Sequence, residues 1–182
     1  MLGDVFENSE HAASAVQHGA LEASSRISNP TNAVLEERVA ALEGAAGAIA
    51  TASGQAALHL AISTIAGAGH HVVASTALYG GSPQPARHAA APGIETTFVK
   101  PGDTDGWRAA IRPNTRLLFG ETLGNPGLDV LDIPTVSAIA HEARVPLLVD
   151  STFDALAVAA DGARHADLVY HSAASSSPAT AR

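Results

Sequence analysis

Three stretches of this chain carry side chains whose types and setting suit the capture of a small charged ligand. The first is Val145-Pro-Leu-Leu-Val-Asp-Ser-Thr-Phe153, a short apolar run that leads into Asp150. Such a run reads as a strand buried on both faces of a parallel sheet, and its carboxyl end is where open α/β sheets place their ligands. A carboxylate there needs a cationic or proton-donating partner, because an unpaired buried charge is costly. The second is Ser53-Gly54-Gln55, ahead of an Ala/Leu/Ile helix from Ala56 to Ile65. A small turn feeding a helix N-terminus offers an anion free N–H groups and the positive end of the dipole. The third is Leu78-Tyr79-Gly80-Gly81-Ser82, where one of only two tyrosines sits beside two glycines and could lie flat over a planar ligand. Each has a plainer use when read alone: Asp150 as a helix N-cap or loop salt bridge, Ser53 as a simple cap, Tyr79 as a half-buried ring.

Positioning these residues falls to alternating helices and strands. Residues 1–24 are polar and Ala-rich, with Phe6, Ala13 and Val16 at loose helical spacing, which predicts a partly exposed helix. Asn29-Pro-Thr-Asn32 is turn chemistry able to cap the next helix. In that helix Leu35, Val39 and Leu42 form an apolar face, Gly44 is the stop, and Glu36, Glu37 and Glu43 fall largely off the face as solvated charge. Strands are predicted at Ala48–Ala52, His71–Ser75, Ile94–Val99, Thr115–Phe119, in the Asp150 stretch, and at Ala166–Tyr170. Helices are predicted at Ala56–Ile65, Trp107–Ile111 and Ile133–Ala143. Strands and helices alternating at this spacing predict an α/β fold, a mostly parallel sheet with helices on both faces.

Composition removes several function classes. The 182 residues suffice for one compact domain, and a net charge of −8 without a Lys/Arg cluster argues against nucleic acid or anionic membrane as partner. With no cysteine there is neither a disulfide framework nor a thiolate zinc site. Of the nine histidines none forms a pair at ligand spacing on a helix face, and adjacent His70 and His71 would point to opposite sides of a strand, so no metal is expected. There is no G-x-S-x-G elbow, no P-loop, and no G-x-G-x-x-G after a strand. Met1-Leu-Gly-Asp-Val-Phe-Glu7 lacks the basic and apolar regions of a signal peptide. The charge-free run Gly44–Ala86 is mostly small residues, broken by Gln55, His59, His70 and His71, and does not read as a membrane span. A soluble, cytoplasmic protein is expected.

Seven motifs then occur in a particular order: Arg26-Ile-Ser-Asn-Pro-Thr31, Leu35-Glu-Glu-Arg-Val-Ala-Ala-Leu-Glu-Gly44, Ala52-Ser-Gly-Gln-Ala-Ala57, Leu78-Tyr-Gly-Gly-Ser82, Glu121-Thr-Leu-Gly-Asn-Pro126, Val149-Asp-Ser-Thr-Phe153 and His171-Ser172. This order, from about Val5 to Ser172, resembles the Cys/Met-metabolism family of pyridoxal-phosphate enzymes. Ser-Gly-Gln and Glu-Thr-x-Gly-Asn-Pro lean toward its O-acetylhomoserine sulfhydrylases. The resemblance implies the large domain of a type I pyridoxal-phosphate transferase fold. It implies that Gly54, Gln55 and Ser172 hold the cofactor phosphate, that Tyr79 stacks on the ring, that Asp150 pairs with the protonated ring nitrogen, and that Asn125 bonds the phenolic oxygen. Arg26 would reach the phosphate of a neighbouring subunit, implying a homo-oligomer. The implied parent reaction joins O-acetylhomoserine and sulfide into homocysteine and acetate by γ-replacement, in transsulfuration and methionine biosynthesis, on a small amino-acid substrate.

The chain departs from the family pattern at the reactive centre. After His-Ser the family reads x-Thr-Lys; here it is Ala173-Ala174-Ser175. Ser175 occupies the position of the Schiff-base lysine and has no amine, so no catalytic residue is assigned. Lys100 is the only lysine in the chain and lies far from this motif. Ser24 replaces an expected tyrosine, and Ser151 an asparagine. Encoded as GCA AGT TCA TCG CCG GCC ACG GCA CGN, Ala174–Arg182 read from one base before AGT becomes Lys-Phe-Ile-Ala-Gly-His-Gly-Thr, which resembles the family's own continuation. The expected organisation is therefore an N-terminal arm with a subunit-contact segment over 1–30, an incomplete cofactor-binding large domain over 31–172, and an out-of-frame tail over 173–182, with the C-terminal domain absent. Such a fragment is expected to be inactive, with weak or non-covalent cofactor affinity. The alternatives are a fragment like the cystathionine γ-synthases or γ-lyases, and a non-catalytic subunit that docks on an intact homologue.

Overall fold

A computed structural model describes residues 29–79, 93–124, 126–153 and 166–173. The chain divides into two compact units, residues 1–41 with 45–50, and residues 42–44 with 51–182. The helix predicted over residues 1–24, the turn residues Gly80–Ser82, and Arg26, Asn125 and Ser175 lie outside the described residues.

Helix α1 (Pro30–Glu43), which belongs to the first unit up to Ala41, begins where the turn chemistry predicts. Asn29 Oδ1 accepts the N–H of Thr31 at 2.9 Å and the longer-range N–H of Asn32 at 3.4 Å, satisfying first-turn donors. Gly44, at φ 64°, supplies the left-handed residue that stops the helix. Leu35 and Leu42 of the predicted apolar face are 54% and 49% exposed. One expectation fails here. The segment Ala48–Ala52 is not a strand, because its backbone finds no ladder; instead the N–H of Ala50 donates to Glu36 Oε1 at 2.7 Å.

The second unit is built on five strands, all neighbours parallel, in the order β2-β1-β3-β4-β5: β1 (His71–Ser75), β2 (Glu95–Val99), β3 (Thr115–Glu121), β4 (Leu147–Asp150) and β5 (Leu168–Tyr170). Helix α2 (Gly54–Ile65) covers one face through Leu58 and Ile62, packed on Val72, Ala74, Leu117, Phe119 and Leu148. Helices α3 (Thr104–Ala110) and α4 (Ile133–Glu142) cover the other, where Trp107, Val136 and Ile139 meet Val73, Leu118, Leu147 and Val149. The β4 run thus sends Leu148 to one core and Leu147 and Val149 to the other, which is why it has no polar alternation. Asp103 and Asp132 cap α3 and α4, accepting the N–H of Gly106 at 2.9 Å and of Thr135 at 3.1 Å.

Glu43, expected in solvent, is 3% exposed. Its Oε1 lies 2.6 Å from His171 Nε2, and the same ring donates from Nδ1 to the carbonyl of Ser151 at 2.9 Å. Helical periodicity treated the acid as surface because it carries no information about the histidine that follows β5.

His71, fully buried, opens β1 at the amino edge of the sheet. Nδ1 is 2.8 Å from Thr115 Oγ1, and Nε2 is 2.8 Å from Thr97 Oγ1. Arg112 donates to both hydroxyls, through its backbone N–H at 2.8 Å and its guanidinium at 3.1 Å, and pairs with Glu95 at 2.8 Å. Burial first, then the Arg112 guanidinium, lower the His71 pKa, with Glu95 opposing. The unfolded chain binds this proton below about pH 6.5 and the folded one resists it. The stability contributed is therefore complete above that pH and is lost as pH falls through the lowered folded value. Unfolding free energies from urea titration are expected to fall between pH 7 and pH 5, by no more than about 1.4 kcal/mol per pH unit for one proton, and His71→Gln should flatten that slope.

Candidate functional site

At the carboxyl ends of β3, β4 and β5 the sheet opens into a cleft of about 130 Å³. Gly54, Gln55, Tyr79, Asp150 and Ser172 all line it, together with Leu58, Leu78, Phe119, Glu121, Thr152 and Tyr170. Five residues singled out on sequence grounds, drawn from four separate stretches, therefore share one cavity; Arg26 and Asn125 are not among the described residues.

One end of the cleft is built by the N-terminus of α2. Ser53 takes the Ala56 N–H on its hydroxyl at 3.1 Å and the Ala57 N–H on its carbonyl at 3.0 Å. Helix geometry leaves the N–H groups of Gly54 and Gln55 to an outside acceptor. Ser172 comes from beyond β5 to the same place, its own N–H donated to Thr152 Oγ1 at 2.9 Å. The approach is so close that a Cβ on Gly54 would lie 2.7 Å from Ser172 Cβ, so the glycine is required sterically.

The acid end is a row of paired residues. Glu121 is opposite Asp150, and Asp150 is opposite Tyr170, so the three side chains leave the same face of the sheet. Asp150 Oδ1 accepts the Thr152 N–H at 2.9 Å, and Tyr170 stands beside Asp150 on the neighbouring strand, near enough for the carboxylate to act on its phenol. The expected proton-donating partner of this carboxylate is thus the Thr152 backbone amide. Glu121 Oε1 accepts the N–H of Tyr79 at 2.5 Å, and the Tyr79 ring is 60% exposed at the mouth of the cleft. Burial above all, then the neighbouring Asp150 and Glu121 carboxylates, raise the Tyr170 phenol far above its ordinary range. Among the described residues no group of three or more His, Asp or Glu is placed to hold a metal ion.

Sequence reasoning gave no role to Glu121, Thr152 or Tyr170. The first two sit inside quoted motifs. Tyr170 could have been found by aligning the end of its strand with Asp150.

The pattern of the Cys/Met metabolism PLP-dependent enzyme family matches residues 4–175. The chain is 47% identical over 154 residues to the O-acetyl-L-homoserine sulfhydrylase of Corynebacterium glutamicum, covering 81% of this chain and 35% of that protein. It is 44% identical over 173 residues to the Leptospira meyeri enzyme of the same name, covering 92% and 38%. The chain thus spans between 35% and 38% of these relatives' length. Among solved structures, a Wolinella succinogenes O-acetylhomoserine sulfhydrylase superposes with a TM-score of 0.62 at 40% identity, over 69% of this chain and 36% of that one. A Campylobacter jejuni structure, solved with N'-pyridoxyl-lysine-5'-monophosphate in place, superposes with a TM-score of 0.75 at 31% identity, over 94% and 43%.

Proposed function

The chain belongs to the Cys/Met-metabolism family of pyridoxal-phosphate-dependent enzymes, and from that premise we propose that the strand-end cleft is the cofactor pocket of an O-acetylhomoserine sulfhydrylase-like protein. The observation that carries this is the convergence of Gly54, Gln55, Tyr79, Asp150 and Ser172 on one cavity. The residues present suit the group: a helix N-terminus with open donors and a glycine that a Cβ would push off Ser172 at one end, a carboxylate at the other. The N–H groups of Gly54 and Gln55 and the hydroxyl of Ser172 would hold the phosphate, Asp150 the ring nitrogen, and Asn125 the phenolic oxygen. Tyr79 would cover the ring, and Arg26 would reach a neighbouring subunit's phosphate. When bound, pyridoxal phosphate supplies an electron sink for amino-acid chemistry. For the parent protein that chemistry is γ-replacement of acetate by sulfide on O-acetylhomoserine, in a cytoplasmic homo-oligomer.

Ser175 provides no amine, so this chain holds the cofactor non-covalently and is inactive, with residues 1–30 as a contact arm, 31–172 as cofactor-binding large-domain sequence and 173–182 as out-of-frame sequence. Resequencing the gene tests the last point: the shifted frame continues as a family C-terminal domain, or the frame change is wrong. The pocket is tested by equilibrium dialysis with pyridoxal phosphate. Gly54→Ala drives a Cβ against Ser172 and is expected to weaken binding at least about tenfold, whereas unchanged affinity would place the phosphate elsewhere.

A further inference from the structure

We propose that Tyr170 is a positioning residue for the cofactor site: its phenol donates to Asp150 across β4 and β5 and aims that carboxylate at the ring nitrogen. The inference rests on the pocket assignment above and adds a residue to it. Glu121, Asp150 and Tyr170 stand abreast on adjacent parallel strands, about 4.8 Å apart. Two carboxylates side by side repel one another, and each is drawn to its own donor. Glu121 takes the Tyr79 N–H at 2.5 Å; Asp150 takes the Thr152 N–H at 2.9 Å and has the Tyr170 phenol beside it on the neighbouring strand.

The tyrosine is itself held. Its ring stacks on Phe119 of β3 with centroids 6.4 Å apart and planes inclined by 29°, while the strand pairs Tyr170 with Asp150 and sends its carbonyl to the Ser151 N–H at 3.0 Å. The donor is thus rigid at both ring and backbone. A carboxylate offers roughly four lone-pair sites, so the phenol and the Thr152 amide fix its plane and leave lone pairs for a protonated ring nitrogen in the cleft. Burial beside two acids keeps the phenol protonated, so it remains a donor.

Tyr170→Phe keeps the ring and the Phe119 contact and removes only the donor. Binding of pyridoxal phosphate is compared with that of its carbocyclic analogue, in which the ring nitrogen is replaced by C–H. The variant is expected to bind pyridoxal phosphate about tenfold more weakly and the analogue as wild type does; in an Asp150→Asn background the same change adds nothing. Equal affinity for pyridoxal phosphate, or equal loss for both ligands, overturns the inference, the second result marking a merely structural tyrosine. If the wild-type chain binds neither ligand, the pocket assignment fails instead. Ultraviolet titration of the ligand-free chain in a Tyr79→Phe background, where Tyr170 is the sole phenol, then decides the contact alone. Asp150→Asn must lower the pH at which the phenol ionises, and an unmoved titration refutes the contact even where Tyr170→Phe does not fold.

Discussion

Pyridoxal phosphate added to this chain is expected to form no Schiff base in the cleft, and turnover of O-acetylhomoserine with sulfide is expected to be undetectable. On the proposed assignment Ser175 stands where the family's reactive amine would be, and the sole lysine cannot substitute for it. Lys100 follows β2, the edge strand, with β1 and β3 between it and β4. At about 4.8 Å per strand that is roughly 14 Å across the sheet from Asp150. The deficit exceeds one bond, since a positioned amine also moves protons, a role worth about 10²–10⁴-fold by itself. Borohydride reduction followed by peptide mapping checks this. Label is expected only at Lys100 and the amino terminus, at the level set by free aldehyde and insensitive to Gly54→Ala. An adduct that Gly54→Ala abolishes would mean that an amine reaches the cleft after all.

The largest loss of stability is expected from Trp107→Ala. Trp107 is 0% exposed and is the one fully buried residue of the seven-residue helix α3, which otherwise meets the core only through the partly buried Ala110. It packs into the cluster of Val99, Val136, Ile139 and Ala140, and its Nε1 donates to the carbonyl of Pro101 at 3.3 Å. Removing a buried Trp costs about 3–5 kcal/mol, a large part of the roughly 5–15 kcal/mol that holds a typical domain folded. Urea unfolding followed by circular dichroism should show that loss, with Trp107→Phe intermediate. A loss below about 1 kcal/mol would mean that α3 is not anchored through this residue.

Much of the fold was legible locally. Uninterrupted apolar runs marked β1, β3 and β4, because strands buried on both faces cannot alternate. Asn29 and Gly44 marked the ends of α1, and Ser53 the start of α2, because cap and stop chemistry acts within one helical turn. Asp150 was legible as a strand-end acid in need of a donor, and the Ser-Gly-Gln turn as the start of a helix whose N-terminus lines the cleft.

What only the tertiary structure decided are contacts between distant parts of the chain. Ala48–Ala52 has strand-like composition yet no strand beside it, so propensity was overruled by the lack of a hydrogen-bonding partner. Glu43 is inside because a histidine 128 residues away meets it. The alignment of Glu121, Asp150 and Tyr170 depends on the register of three parallel strands joined by long crossovers. The sequence by itself singled out Gly54, Gln55, Tyr79, Asp150 and Ser172, which line one cavity, and most of the elements that hold them. Folding decided their neighbours, because turn chemistry and periodicity are properties of a few adjacent residues, whereas register is set by hydrogen bonds and packing across the whole sheet.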